Sequence, residues 1–237
     1  MLLVMTNHPA TIDYRLATPF GALWDLDGTL VDTEANHYAA WRVLVHEHGR
    51  DLSYEEFRPT FGLRNDDVLS RYLGFAGDTA TLAALSERKE ELFRASLRRD
   101  GVKTQPGALD LIAHLRTLGA RQAVASSAPP ANIALIVRLL GLEDAFDAVV
   151  SSEEVVHGKP APDIFLRAAA RIGVKPERAV VLEDAPAGVA AGKAAGCKVI
   201  AIIAGFPTDA LSSANLIVRT FDDVLWPTDQ WEQFLEP

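Results

Sequence analysis

Short apolar runs alternate with amphipathic stretches along most of this 237-residue chain. The run Phe20 to Leu23 reads as a buried strand. From Pro106 onward the alternation is regular. The pattern predicts helix over Gly107–Leu118, strand to Ser126, helix to Leu140, strand over Ala148–Val150 and helix over Asp163–Ile172. Strand to Leu182, helix to Ala195 and strand Lys198–Ile202 follow. Strands separated by helices imply α/β architecture with a parallel, doubly wound sheet.

The region from about Thr33 to Lys103 has a different texture, with no buried-strand run. Ala40, Trp41, Leu44 and Val45 give one amphipathic face; Val68, Leu69, Tyr72 and Leu73 give another; Leu82, Leu85, Leu92 and Phe93 give a third. Gly74-Phe75-Ala76-Gly77-Asp78 and Arg99-Asp100-Gly101 punctuate it. The expected organisation is an α/β core of residues 1–32 and 104–237, with an all-helical insertion, residues 33–103, after the first strand. Residues before Pro19 read as an extension or an added edge segment.

Chemistry concentrates at the strand ends. Trp24-Asp25-Leu26-Asp27-Gly28-Thr29-Leu30-Val31-Asp32 puts two carboxylates two residues apart where the first strand stops. In a strand, positions i and i+2 face the same side. Like charges held there are costly unless a cation or a shared proton compensates. The carboxyl end of a strand in an α/β fold is also where ligands usually bind. The pair therefore points to a metal-assisted carboxylate site, one Asp acting as nucleophile and the other as acid/base.

This run resembles the first motif of the haloacid dehalogenase superfamily of phosphotransferases, which implies three more motifs downstream in fixed order. The second is a buried strand ending in a hydroxyl. Gln122-Ala123-Val124-Ala125-Ser126-Ser127 fits, with Ser126 at the matching position and Ser127 beside it. A Ser at such a junction is also commonly a helix cap. The third is the Lys of Val156-His157-Gly158-Lys159-Pro160, where Pro160 disfavours helix at Lys159. The fourth is the acidic pair Glu183-Asp184, after the run Ala179-Val180-Val181-Leu182. Helix capping accounts for an acidic pair alone, but not for four segments in this order.

The resemblance implies a Rossmann-like core with a small helical cap over the sheet edge. It implies that Asp25 attacks phosphorus and that Asp27 is the general acid, then base. Ser126 and Lys159 would hold the transferring oxygens. Mg²⁺ would be bound by Asp25, the backbone carbonyl of Asp27 and Asp184, with Glu183 nearby, directly or one step removed. Members that cleave carbon–halogen bonds lack the second Asp of the first motif; Asp27 is present, which favours phosphoryl transfer.

Within the superfamily the chain is similar to β-phosphoglucomutases and small-sugar phosphatases. Asp32-Thr33-x-x-x-His37-x-x-x-Trp41 is shared with them, with His37 and Trp41 on one helical face. Lys89, in Arg88-Lys89, falls where mutases carry a substrate-recognising cap Lys. Ser127, His37, Trp41, Arg64 and Lys89 are accordingly the expected substrate-binding residues. Two departures weaken a mutase reading. The arginine is Arg64, two residues after Gly62, with Asn65 where the mutases have Arg. Ala128-Pro129-Pro130 replaces a Ser-Lys-Asn set, and Pro129 lacks even a backbone donor. The expectation is an Mg²⁺-dependent phosphomonoesterase acting on a small phosphorylated metabolite, a sugar phosphate. A mutase is the alternative. A non-catalytic binding module is another, although such members usually lose the equivalent of Asp25, Asp27 or Lys159.

Composition narrows the partners. The net charge of −9 argues against nucleic acid, which calls for a basic face. No apolar run reaches membrane-span length, and Met1–Met5 is too short for a signal-peptide core. A single cysteine, Cys197, excludes an internal disulfide and fits a cytoplasmic setting as a buried small hydrophobe. A monomer or weak homo-oligomer is expected, with Trp226 and Trp231 placed in core or interface.

Overall fold

The structure is a computed structural model and describes residues 19–61 and 63–236. The expected extension before Pro19 lies outside the described residues. The first strand, β1 (Gly21–Trp24), is wholly buried. After it come a short strand β2 (Val31–Asp32) and helices α1 (Glu34–Glu47), α2 (Tyr54–Phe57) and α3 (Asn65–Asp67). A π-helical turn over Val68–Tyr72 follows, then the long helix α4 (Thr79–Asp100). Strand β3 (Lys103–Thr104) pairs antiparallel with β2, so the chain leaves and re-enters the sheet region across a two-stranded ribbon. Thereafter strand and helix alternate: α5 (Ala108–Thr117), β4 (Arg121–Ser126), α6 (Pro130–Leu139), β5 (Ala148–Ser151) and α7 (Asp163–Arg171). β6 (Ala179–Glu183), α8 (Pro186–Ala194), β7 (Lys198–Ile202), β8 (Leu216–Val218) and α9 (Thr228–Leu235) complete it.

The six-stranded sheet runs β5-β4-β1-β6-β7-β8 and all its pairings are parallel. The chain winds outward from β1 through β4 and β5, then crosses back to β6 on the other side. The strand order therefore reverses around β1, and such a switch point leaves a crevice at the carboxyl ends of β1, β4 and β6.

Side chains sort by the two-residue strand period. Ala22, Trp24, Val124, Val180, Leu182, Ile200 and Ile202 enter a core with Leu111, Leu115, Ile133, Ile136 and Trp231. Leu23, Ala123, Ala125, Val181, Val199 and Ala201 enter the opposite core with Phe165, Ala168 and Val189. A third cluster, Trp41, Leu44, Val45, Leu52, Phe57, Val68, Leu69 and Leu73, lies within the helical segment between β2 and β3. Cys197 is buried; burial first, and Glu177 second, push its thiol up to about 12. No helix among the described residues is long and apolar enough to cross a membrane.

Four elements exceed the sequence expectation: the two-residue strands β2 and β3, strand β8 and helix α9. Strand β8 has three residues, too short for a periodic signal. In α9 only Trp231 and Leu235 are buried, one turn apart. Trp231 packs on Phe20 and Trp226, with ring centroids 6.1 and 5.0 Å away, so this tryptophan belongs to the core.

A buried polar connection links β1 through β4 to α5. The Trp24 indole donates to Gln122 Oε1 at 3.0 Å, and Gln122 Nε2 donates to the Ile112 carbonyl at 2.9 Å. Gln122→Leu leaves the buried Trp24 indole N–H without a partner, at a cost of about 1–3 kcal/mol, whereas the Ile112 carbonyl lies inside α5 and keeps its helical bond. The expected loss is about 1–3 kcal/mol, a fall in Tm of roughly 3–10 °C for a chain of this size. Thermal unfolding followed by circular dichroism checks it; an unchanged Tm would show that the connection adds nothing.

Candidate active site

Asp25 follows β1 directly, and its backbone N–H donates to the Leu182 carbonyl of β6 at 3.0 Å. The chain then turns back tightly: Gly28 N–H donates to Val31 O at 2.7 Å and Leu30 N–H to Leu26 O at 2.9 Å. Gly28 has φ +89°, and a Cβ there would sit 2.2 Å from Asp184 Oδ2. Only glycine meets both demands. The turn thereby brings the two motifs together, and the Thr29 hydroxyl donates to Asp184 Oδ1 at 3.0 Å.

Lys159 arrives from the loop before α7. Its ammonium donates to Asp25 Oδ1 at 2.5 Å and to Glu183 Oε1 at 2.7 Å. The other Glu183 oxygen accepts the backbone N–H groups of Asp184 and Ala185, each at 2.7 Å, just before α8. Glu183 is thus fully occupied, orienting Lys159 and capping the turn into α8. Gly188 makes room for it, because a Cβ there would lie 1.5 Å from Glu183 Oε1. Asp184 Oδ2, in contrast, is buried and has no hydrogen-bond partner. Oxygens of Asp25, Glu183 and Asp184 lie within 4.8 Å of one another.

Three carboxylates thus face one ammonium out of water. Burial raises the Asp25 carboxyl to about 7; Lys159 pulls against this, while Glu183 and Asp27 add to it. Burial, then Glu183 and Asp25, hold Asp184 well above the usual carboxylate range. For Lys159 burial works the other way, but Asp25 and Glu183 outweigh it and raise its proton affinity. A group with a proton or a divalent cation to offer relieves this excess of negative charge.

Asp27 stands in a separate network. Its Oδ1 accepts from the Thr33 hydroxyl at 2.6 Å and lies 3.3 Å from His37 Nε2. The other ring nitrogen, Nδ1, lies 2.8 Å from Lys89 Nζ. An ammonium can only donate, so Nδ1 accepts and Nε2 carries the proton toward Asp27. Burial alone would raise the Asp27 carboxyl, but the bond and charge from His37 and the bond from Thr33 hold it below its ordinary value. The two aspartates, two residues apart, are therefore displaced in opposite directions.

The remaining candidates are dispersed. Ser126 ends β4 and its hydroxyl accepts the Ala128 N–H at 3.0 Å; Ser127 beside it is half-buried. Lys89 is only 2% exposed, so it is not a solvated helix charge. It lies 5.3 Å from the centroids of Trp41 and Phe93, and Trp41 itself is buried in the helical segment's apolar cluster. Arg64 is exposed, 3.5 Å from Asp66, and its Cδ passes 3.8 Å from the Cβ position of Gly158. The structure adds Thr29, Thr33, Asn65, Glu90 and Asn132 to these networks. Thr29 and Thr33 lie within motifs legible in the sequence, but Glu90 and Asn132 carry no signal beyond ordinary helix polarity.

A family model for haloacid dehalogenase-like hydrolases matches residues 21–196. The chain belongs to this family. It is 34% identical over 204 residues to hexitol phosphatase A of Escherichia coli, covering 86% of this chain and 92% of that protein. It is 29% identical over 221 residues to the β-phosphoglucomutase of Bacillus subtilis, covering 90% and 95%. Among solved structures, CbbY of Rhodobacter sphaeroides in complex with phosphate aligns with TM-score 0.79 and 28% identity, over 86% of this chain and 95% of that one.

Without added metal, the raised Asp25 carboxyl makes stability depend on pH. The folded state holds this proton more tightly, so the associated stability is full below pH 3.8 and is lost as pH rises through about 7. Asp25→Asn removes the penalty. Thermal melts in a chelator should therefore show the variant gaining on the wild type between pH 4 and pH 8, and a constant difference would refute the raised proton affinity.

Proposed function

We propose that this chain hydrolyses phosphate monoesters of a small sugar or hexitol, with Mg²⁺, through an aspartyl-phosphate on Asp25. The observation that carries the reading is the Asp25–Lys159 contact at 2.5 Å beside the Glu183–Asp184 pair, at the sheet's switch point. The orphaned, buried Asp184 Oδ2 and the surplus of carboxylates fit a hard divalent cation. Asp25, Asp184 and the backbone carbonyl of Asp27 would hold it, while Glu183 holds Lys159. When bound, Mg²⁺ supplies neutralisation of charge on the transferring oxygens.

The residues divide the work as follows. An Asp25 oxygen attacks phosphorus as the ester P–O bond breaks, and Asp27 passes a proton to the departing alcohol oxygen. The resting Asp27 is held as an anion; an incoming phosphate dianion raises its proton affinity and favours the acid form. Asp27 then takes a proton from water, whose oxygen attacks phosphorus and displaces Asp25. Lys159 and the Ser126 hydroxyl, with Ser127 adjacent, hold the phosphoryl oxygens. His37 and Lys89 orient Asp27.

Residues 33–103 act in this reading as a cap domain over the crevice. Arg58 of the cap donates to the Gly205 carbonyl at 2.9 Å, and Arg64 leans over Gly158 beside Lys159. Arg64, exposed and beside Gly158, is the cap cation placed for contact with substrate, and Trp41 contributes by shielding Lys89. Hydrolysis is favoured over mutase chemistry because neither position where the mutases hold a second phosphate carries a free cation or amide here. Asn65, where mutases have Arg, gives its amide to Ser86 at 2.9 Å and to Glu90 at 2.6 Å. Ala128 and Pro129, after Ser126, offer no cation. The similarity to hexitol phosphatase A supports a phosphorylated polyol or sugar as the substrate class.

Product analysis tests the reading with sorbitol 6-phosphate, fructose 1-phosphate and β-glucose 1-phosphate. Inorganic phosphate is expected with Mg²⁺ and is expected to vanish in excess chelator. Asp25→Asn should lower release on the order of a thousandfold or more. Glucose 6-phosphate formed from β-glucose 1-phosphate without free phosphate would make the chain a mutase.

A further inference from the structure

The long helix α4 carries a buried carboxylate that the mechanism above does not use. Glu90 is 3% exposed and both its oxygens are taken. Oε1 accepts from Lys89 Nζ at 2.9 Å and from Asn65 at 2.6 Å; Oε2 accepts from Asn132 Nδ2 at 2.5 Å. Asn132 is fully buried and sits in the first turn of α6, just beyond Ser126 and Ser127. Its carbonyl accepts from Arg94 Nη1, also on α4, at 3.0 Å. Arg94 is in turn paired with Glu87 at 2.6 Å.

These contacts form a continuous path. It starts at Asp27, runs through His37 and Lys89 into the helical segment, and returns through Glu90 to Asn132 on the α/β sheet side. Every joint is a hydrogen bond or ion pair, and most of the groups are out of water. Neighbouring positions on a helix usually diverge, yet Lys89 and Glu90 meet here at 2.9 Å, with the ammonium 5.3 Å from the Trp41 and Phe93 ring centroids. A buried charge pair of this kind contributes little net stability. Its best physical use is to fix geometry, and the geometry it fixes is that of the Lys89 ammonium against His37 Nδ1.

We propose that Glu90 and Asn132 are positioning residues for proton transfer by Asp27: the Asn132–Glu90 contact between α6 and α4 aims Lys89, and through His37 aligns the Asp27 carboxyl on the leaving-group oxygen. This rests on Asp27 being the acid/base of the reading above.

The test separates proton transfer from general damage by changing the leaving group. A sugar alkoxide needs a proton to depart; 4-nitrophenolate does not. With Mg²⁺ present, Glu90→Gln and Asn132→Ala should each lower kcat on fructose 1-phosphate about tenfold. KM should move little, and the pre-steady-state burst of nitrophenolate from 4-nitrophenyl phosphate should slow less than about twofold. Equal slowing of both reactions would reduce Glu90 and Asn132 to structural residues and overturn the proposal. Asp27→Asn is the control. If it shows the leaving-group signature and Glu90→Gln does not, this proposal alone falls; if Asp27→Asn lacks the signature, the acid/base reading falls and takes the proposal with it. Because Glu90→Gln strands a buried Lys89, the measurement is repeated on Lys89→Met. In that background Glu90→Gln should cost no further kcat, whereas additive losses would overturn the shared path.

Discussion

A surplus of negative charge at the end of β1 is the constraint around which the rest of the chain is arranged. Asp25, Glu183 and Asp184 are buried together, and among the described residues Lys159 supplies the one ammonium that touches two of them. Buried charges without compensation are expensive, so each departure from ordinary geometry nearby serves this cluster. Gly28 and Gly188 leave room for carboxylate oxygens that any Cβ would displace. Glu183 is held by two backbone N–H groups at the start of α8, which stabilise an anion there. Parallel pairing of β1 with β4 and β6 brings all these groups to one edge.

The two acidic networks differ in how far they are satisfied internally. Around Asp25 the carboxylates outnumber the cations, and one Asp184 oxygen has no partner at all. Such a cluster stores an unmet demand for positive charge, which makes it receptive to a cation and to a phosphate brought with it. Around Asp27 the Oδ1 atom and the groups behind it are partnered in series within the chain: Thr33 and His37 on the carboxylate, then Lys89 and Glu90. That arrangement holds a geometry rather than awaiting a ligand. The opposite shifts of Asp25 and Asp27 follow from this contrast.

How much of this was legible in the sequence depended on range. The strand–helix alternation after Pro106 predicted each element from α5 to β7 to within a few residues, because apolar runs and turn residues are local signals. Strand β8 and helix α9 were missed for the same reason: three residues and two buried positions are too few to make a period. The residues around Asp25 could be found from strand ends and motif order. Glu90 and Asn132 could not, since 42 positions separate them and each looks like an ordinary polar residue on its own helix. Asn65 was noticed only as a departure from the mutases; that its amide is spent on Ser86 and Glu90 is a tertiary fact.

On the proposed function, Asn65 also couples specificity to alignment. In the mutase-like position an arginine side chain would reach outward for a second phosphate. Here a short amide turns inward and joins the Glu90 carboxylate that holds Lys89. The same substitution therefore removes a phosphate holder and adds a hydrogen bond to the network behind the acid/base. Restoring an arginine at this position would do more than offer a cation to substrate. It would withdraw one of the two donors on Glu90 Oε1 and leave Lys89 as its only remaining partner there, so a gain in binding would be set against poorer alignment of Asp27. Conversion between the two chemistries in this framework thus requires the Glu90 environment to change together with Asn65, not the exposed face of the helical segment alone.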